Sequence, residues 1–281
     1  MSDDIKILIV GLGLIGGSYA QGLSKKGYTV YAIDKNPNSI KYGVDNNIIK
    51  EFNGSNNDLI KESDLIILSL YPKDNVNWIK DNKQFFKENV VITDVSGIKV
   101  AIVDEIQQLL DNAEFVPSHP MAGREKSGVE NADYNIFKDA NFLITPTESN
   151  TKEAILLIKE LAEALEFSNI EIISPSLHDE MIGYLSQLTH VIAISLMNSK
   201  DTEHMIRYTG DSFRDLTRIA KINENLWSEL FILNKDILAD NIDKFILEMS
   251  KFKEILVNED INEMKKKMIS STERRKLFDK R

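Results

Sequence analysis

The segment Pro117-Ser118-His119-Pro120-Met121-Ala122-Gly123-Arg124-Glu125-Lys126-Ser127-Gly128 holds an imidazole between a serine and a proline. With an ordinary pKa of about 6.5, such a side chain suits proton acceptance at neutral pH. Gly11-Leu12-Gly13-Leu14-Ile15-Gly16 is a G-x-G-x-x-G run that follows an apolar stretch and opens a helical one. In that setting Gly11 permits the turn, Gly13 lets the backbone approach a diphosphate, and Gly16 lets helix and strand pack closely. The diphosphate would lie on the helix N-terminus, where the amide groups and the helix dipole favour an anion. Asp34 ends the next strand, 18 residues after Gly16. A carboxylate there accepts hydrogen bonds from an adenosine ribose and repels a 2′-phosphate, which favours NAD, although Lys35 leaves NADP some tolerance. Gly11, Gly13, Leu14, Ile15, Gly16, Asp34 and Ser69 are the candidate cofactor contacts.

Two further groups lie downstream. Between Ser174 and Met197, helical spacing brings Asp179, Gly183, Ser186, Gln187 and His190 within about 100° of one another. Such a stripe is either a solvent face or a site wall. In Gly210-Asp211-Ser212-Phe213-Arg214-Asp215-Leu216-Thr217-Arg218-Ile219-Ala220, Arg214 and Arg218 share a face, and Asp215 is spaced to brace Arg218. A braced Arg is a preorganised fork for a substrate carboxylate, the plainer reading being a surface ladder.

The elements that position these groups alternate. Ile5–Val10, Thr29–Ile33, Leu65–Leu70, Val90–Thr93 and Glu114–Pro117 read as strands, with amphipathic segments between them and a further strand at Phe142–Thr145. This predicts a doubly wound, mostly parallel Rossmann-type sheet covered on both faces, in an α/β fold. Asn150 and Glu153 are spaced as a capping box for a helix burying Ala154, Ile155, Ile158, Leu161, Ala162 and Leu165. From Ser174-Pro175 onward the pattern is helical. The reading is a dinucleotide-binding domain over 1–170 and an all-helical substrate and dimerisation domain over 171–281. The stretch 263–281 carries eight Lys/Arg against three Asp/Glu and reads as a solvated helix face.

Composition bounds the class. The 281 residues hold 34 Lys+Arg against 44 Asp+Glu, a formal charge of −10, no Cys, and a hydrophobic fraction of 42%. Zero Cys excludes disulfides, a thiolate nucleophile and Cys-ligated metal. The acidic balance argues against nucleic acid. Apolar runs fall far short of the roughly 20 residues that span a bilayer, and no signal peptide is visible, so a cytoplasmic protein is expected.

Taken together, the motifs resemble the prephenate/arogenate dehydrogenase family of tyrosine biosynthesis. The more specific matches are Ser118-His119-Pro120-Met121-Ala122-Gly123 with Glu125-Lys126-Ser127-Gly128, and Asp215-Leu216-Thr217-Arg218-Ile219-Ala220. His178-Asp179, Ser186-Gln187-Leu188-Thr189-His190, Leu226-Trp227 and Asn234 agree in spacing. The resemblance implies NAD-dependent oxidative decarboxylation of a cyclohexadienol, with no metal or covalent intermediate. It makes His119 the acceptor of the hydroxyl proton and Arg218 the carboxylate ligand, and puts His190 in the substrate pocket. Arg124, Glu125, Asp215 and Ser186 complete the substrate-side candidates. Prephenate is favoured over arogenate because Arg124 would penalise an ammonium and His190 could donate to a keto acid, with Glu125 occupied by Arg218.

Three departures stand out. Asp94-Val95-Ser96-Gly97-Ile98-Lys99 reverses the Gly-Ser order common in the family, leaving Ser96 as the stand-in for its catalytic serine. Gln187 and Thr189 replace the His and Pro common before His190. The regulatory domain appended in some relatives is not expected here. A homodimer is expected through the helical domain, because Leu226, Trp227, Phe231, Ile246 and Met249 belong to a larger apolar surplus. The competing readings are a β-hydroxyacid dehydrogenase, which would leave His119 unexplained, and a non-catalytic NAD sensor, which would not need His119, Asp215 and Arg218 together.

Overall fold

The computed structural model describes all residues except Asp3, Glu125, Thr202, Lys280 and Arg281. Chain contacts divide it into two compact units, Met1–Asn234 and Lys235–Arg281. In the first unit, β1 (Lys6–Val10), β2 (Thr29–Ile33), β3 (Leu65–Leu68), β4 (Val91–Asp94) and β5 (Glu114–Phe115) form one sheet in the order β2-β1-β3-β4-β5. Every pairing in it is parallel. Strand side chains alternate between faces, so Ile7, Ile9, Leu65 and Ile67 enter one core while Leu8, Val10, Ile66 and Leu68 enter the other. Burial on both faces explains the unbroken apolar runs. The strand order reverses between β1 and β3, which opens a crevice at their carboxyl ends, where ligands of such sheets bind.

A second sheet, order β6-β7-β8, departs from the sequence reading. It comprises β6 (Ser118–Pro120), β7 (Asn141–Ile144) and β8 (Asn169–Ile172). The first two strands are antiparallel and the last two parallel. The strand expected at Phe142–Thr145 therefore joins this sheet instead of extending the main one. His119 lies in the middle of β6, opposite Leu143, rather than in a loop.

Two local expectations also change. Thr151, not Asn150, caps the helix Lys152–Ala164, accepting from the Ala154 amide. Asn150 instead accepts from the Thr147 amide and donates to the Phe115 carbonyl. The helix still buries Ala154, Ile158, Leu161, Ala162 and Leu165, with Ile155 half-buried. Ser174 caps Pro175–Ile182 as expected, accepting from the Leu177 amide. The run then passes through a π-helical stretch, Gly183–Leu188, into Thr189–Asn198. A π stretch changes the angular step, so the 100° arithmetic fails across it. Asp179, Gly183 and Gln187 turn inward and Ser186 and His190 are half-buried, so the stripe is not a solvent face.

The second unit pairs Lys235–Val257 with Ile261–Lys276. Leu238 is the one buried residue of these two helices among the described residues. No helix among the described residues is long and apolar enough to cross a membrane.

Candidate active site

The glycine run forms the turn at the end of β1. Gly11 has φ +91°, and a Cβ there would lie 2.7 Å from the Ser69 carbonyl oxygen. At Gly16 a Cβ would meet the Gly11 carbonyl oxygen at 2.0 Å, so helix and turn pack too closely for any side chain. Gly13 has nothing within 4 Å of that position. The backbone is open there to a ligand, and no side chain caps the helix Leu14–Lys25 that begins beyond it. Asp34 at the end of β2 ties the turn down, its two oxygens accepting from the Leu12 amide (2.6 Å) and the Asn36 amide (2.7 Å). A cleft of about 500 Å³ bordered by Asp34, Pro37, Ile40, Lys41 and Phe52 opens beside it. Ser69, at the end of β3, carries a buried hydroxyl with no partner. An open cradle, an uncapped helix start and an orphaned hydroxyl fit a dinucleotide.

His119 stands at the head of a hydrogen-bonded chain. Its Nδ1 lies 2.9 Å from His178 Nε2, and His178 Nδ1 lies 2.7 Å from Asp179 Oδ1. The Asp179 carboxylate also accepts from the Lys99 and Val100 amides at 2.8 Å each. A carboxylate can only accept, so His178 carries its proton on Nδ1 and receives one from His119 Nδ1. The His119 Nε2 lone pair is thereby left exposed as the basic atom. Nε2 faces Gly97, 3.7 Å from where a Cβ would stand. Burial, with His178 and the Lys99 ammonium nearby, holds His119 well below the usual imidazole pKa. Burial and Lys99 lower His178 to about 3, and burial raises Asp179 to about 6 against the two backbone amides. At neutral pH both imidazoles are neutral and Asp179 is ionised.

A second buried group fixes β6 against β4. Lys99 Nζ bonds both Asp94 oxygens (2.9 and 2.8 Å) and the Ser118 carbonyl (2.6 Å). Asp94 accepts in turn from the Ser118 and Ser96 amides. A buried pair of this kind fixes geometry more than it adds stability. The Ser96 hydroxyl accepts from Asn75 Nδ2 at 2.9 Å, which leaves its own proton to donate, and the neighbouring Gly97 faces His119.

The helical side closes over this centre. In Glu224–Leu233, Leu230 Cδ1 lies 3.7 Å from the Gly97 Cβ position, and Trp227, one turn earlier, stacks on His190 at 3.6 Å between centroids. Gln187 Nε2 donates to the Leu230 carbonyl, and Asn234 Nδ2 donates to Gln187 and to the Asp179 carbonyl. The Gln187 of the altered run therefore braces this helix. His190 Nδ1 donates to the Ser186 carbonyl at 2.8 Å, which fixes the orientation of the ring. Ser186 contributes this carbonyl. Arg124 pairs with Asp133 at 2.9 Å in a partly exposed ion pair. Asp215 is exposed in the last turn of Asp211–Thr217, and Arg218 is the exposed residue that follows. Glu125, the expected partner of Arg218, lies outside the described residues. Lys99 and Asn75 carried no role in the sequence reading, and His178-Asp179 entered it only through a helix stripe and a match in spacing, with no link to His119.

A parallel sheet with a glycine cradle at its switch point, and a hydrogen-bonded imidazole pair beside the sheet ends, fits a Rossmann-type NAD-binding oxidoreductase. Residues 19–170 match the family described as prephenate dehydrogenase, nucleotide-binding domain, and residues 174–270 match prephenate dehydrogenase, dimerization domain. The chain belongs to the prephenate dehydrogenase family. It is 30% identical over 263 residues to the prephenate dehydrogenase of Bacillus subtilis, covering 90% of this chain and 71% of that one. It is 30% identical over 264 residues to the cyclohexadienyl dehydrogenase of Zymomonas mobilis, covering 90% and 89%. The crystal structure of prephenate dehydrogenase from A. aeolicus in complex with hydroxyphenyl propionate and NAD+ superposes with a TM-score of 0.90, at 31% identity and 99% coverage of both chains.

Proposed function

We propose that this protein oxidatively decarboxylates prephenate to 4-hydroxyphenylpyruvate, with His119 as general base. The observation that carries the reading is the His119–His178–Asp179 chain, which leaves Nε2 of His119 unprotonated at the carboxyl end of the sheet. NAD supplies the hydride acceptor when bound. Loss of the C4 hydride builds positive charge on the carbinol carbon, and transfer of the hydroxyl proton to His119 Nε2 relieves it. The ring carboxylate leaves as CO₂, its bonding pair completes the aromatic ring, and the proton returns to the phenolate oxygen. A base placed to act on this proton contributes most in the transition state. Asp179 stabilises the imidazolium through His178. Arg218 holds a substrate carboxylate, with Asp215 beside it, and His190 and Ser186 border the pocket. Residues 1–170 hold the dinucleotide and 171–281 supply the substrate side and a homodimer contact.

Arogenate is the second reading, and one observation favours it. Arg124 is engaged by Asp133 in an ion pair, which lessens the penalty its charge would impose on an ammonium. The names of the relatives at 30% identity from Bacillus subtilis and Lactococcus lactis support prephenate. Following NADH formation with each substrate decides between them. Prephenate is expected to show the higher kcat/KM, and a tenfold advantage for arogenate overturns the assignment.

A further inference from the structure

We infer that Asn75 is a positioning residue for the nicotinamide end of the dinucleotide, accepting a hydrogen bond at Oδ1. Asn75 is wholly buried near the start of the helix Pro72–Asn82, and its Oδ1 has no partner, while Nδ2 donates to Ser96 Oγ. Leaving a buried amide oxygen unpaired is costly, and native proteins rarely do so without a ligand or function. The placement indicates the ligand. Asn75 bonds the residue immediately before Gly97, and Gly97 faces His119 Nε2. The segment leading to it is pinned over the same crevice, because Asn223 Nδ2 donates to the Tyr71 hydroxyl and the Lys73 amide donates to Glu229. The other unpartnered polar atom of this connection, the Ser69 hydroxyl, belongs to a residue that packs against Gly11 and Gly16. The connection that carries Ser69 and Asn75 therefore runs from the phosphate cradle to the residue beside Gly97. Hydride transfer beside His119 requires the nicotinamide ring there, and that end of NAD carries two kinds of donor, the carboxamide N–H and the hydroxyls of its ribose. The same amide fixes Ser96 through Nδ2, so one side chain couples cofactor placement to the reversed Ser96-Gly97 pair.

Calorimetric titration of wild type and Asn75→Ala with ADP, ADP-ribose and NAD tests this without turnover. ADP lacks both donors and is expected to bind the two proteins equally, whereas NAD is expected to bind the variant about 5- to 10-fold more weakly. An ADP-ribose affinity that falls in parallel assigns the bond to a ribose hydroxyl. An unchanged ADP-ribose affinity assigns it to the carboxamide, and 3-acetylpyridine adenine dinucleotide, which lacks the N–H, should then bind wild type as weakly as NAD binds the variant. Equal NAD affinity in the two proteins overturns the proposal, as does an ADP affinity that falls as far as that for NAD. Should the variant fail to fold, a crystal structure of wild type with NAD answers the question. A nicotinamide-side donor within about 3.2 Å of Oδ1 supports the bond, and a water there alone overturns it. Because ADP binding is scored separately, failure of this bond is distinguishable from failure of dinucleotide binding.

Discussion

At the scale of single residues the chemistry turns on where one proton sits. Replacing His119 by Asn should lower kcat by about 10²–10⁴, the usual contribution of a general base, and leave NAD affinity unchanged in a direct titration. A near-normal kcat would make His119 structural. The relay behind it predicts an unusual pH response of stability. His178 is lowered in the folded protein from 6.5 to about 3, so its contribution is present above pH 6.5 and is lost as pH falls. Asp179 is raised from 3.8 to about 6, so its contribution is present below about pH 4 and is lost as pH rises through 6. Between these limits the folded pair holds one proton on Asp179 and the unfolded pair holds one on His178, and the two slopes cancel. His178→Asn removes one side of that balance. Relative to wild type, the variant should gain about 1–2 kcal/mol between pH 6.5 and 4.5, read from urea midpoints at constant m. Parallel pH profiles for the two proteins would show that the pair does not titrate as described. His119 stood out in the sequence because its residue type and flanking residues suit proton chemistry. Its partner lies 59 residues further on, and nothing in the local sequence around either ring joins them.

At the scale of elements, the parallel sheet was readable because strands buried on both faces are written as continuous apolar runs, as in Ile7–Val10 and Leu65–Leu68. The second sheet was not, because β6 is three residues long, ends in Pro120 and follows Pro117, which leaves no alternation to detect. The π-helical stretch, which carries the buried Gln187, was equally hidden. Asp34 is where an element end is expected to bear on cofactor choice. Its carboxylate joins the β2 end to the glycine turn through two backbone amides, so Asp34→Ala loses both a tether and a ribose acceptor. Asp34→Asn keeps an acceptor for the tether while removing the charge that repels a 2′-phosphate. At 4 Å and an effective dielectric near 20, a unit charge is worth about 4 kcal/mol before desolvation. The NAD-to-NADP ratio of kcat/KM should therefore narrow at least tenfold in the Asn variant, with a smaller loss of melting temperature than in the Ala variant. An unchanged ratio would move cofactor discrimination elsewhere.

At the scale of the molecule, the helices after Asn234 are unfinished in a single chain. The helix Lys235–Val257 runs 23 residues and buries only Leu238, while Ile246 and Met249 are 56% and 58% exposed and Leu247, Leu256 and Val257 more than half exposed. A long amphipathic helix draws its stability mainly from packing of its apolar face, and soluble monomers seldom leave a surface of this kind open. The match of residues 174–270 to a dimerization domain names the kind of partner, a second copy of the chain. A two-fold contact presents the same patch from both subunits, so each substitution in it acts twice. Sedimentation equilibrium at micromolar concentration should report a dimer for wild type and a shift toward monomer for Ile246→Glu combined with Met249→Glu. The charges face solvent in an isolated chain, so the variant should keep its NAD affinity while losing assembly. A wild type that sediments as a monomer would leave this apolar face without its proposed partner, and a doubly substituted protein that remains a dimer would place the contact on another surface.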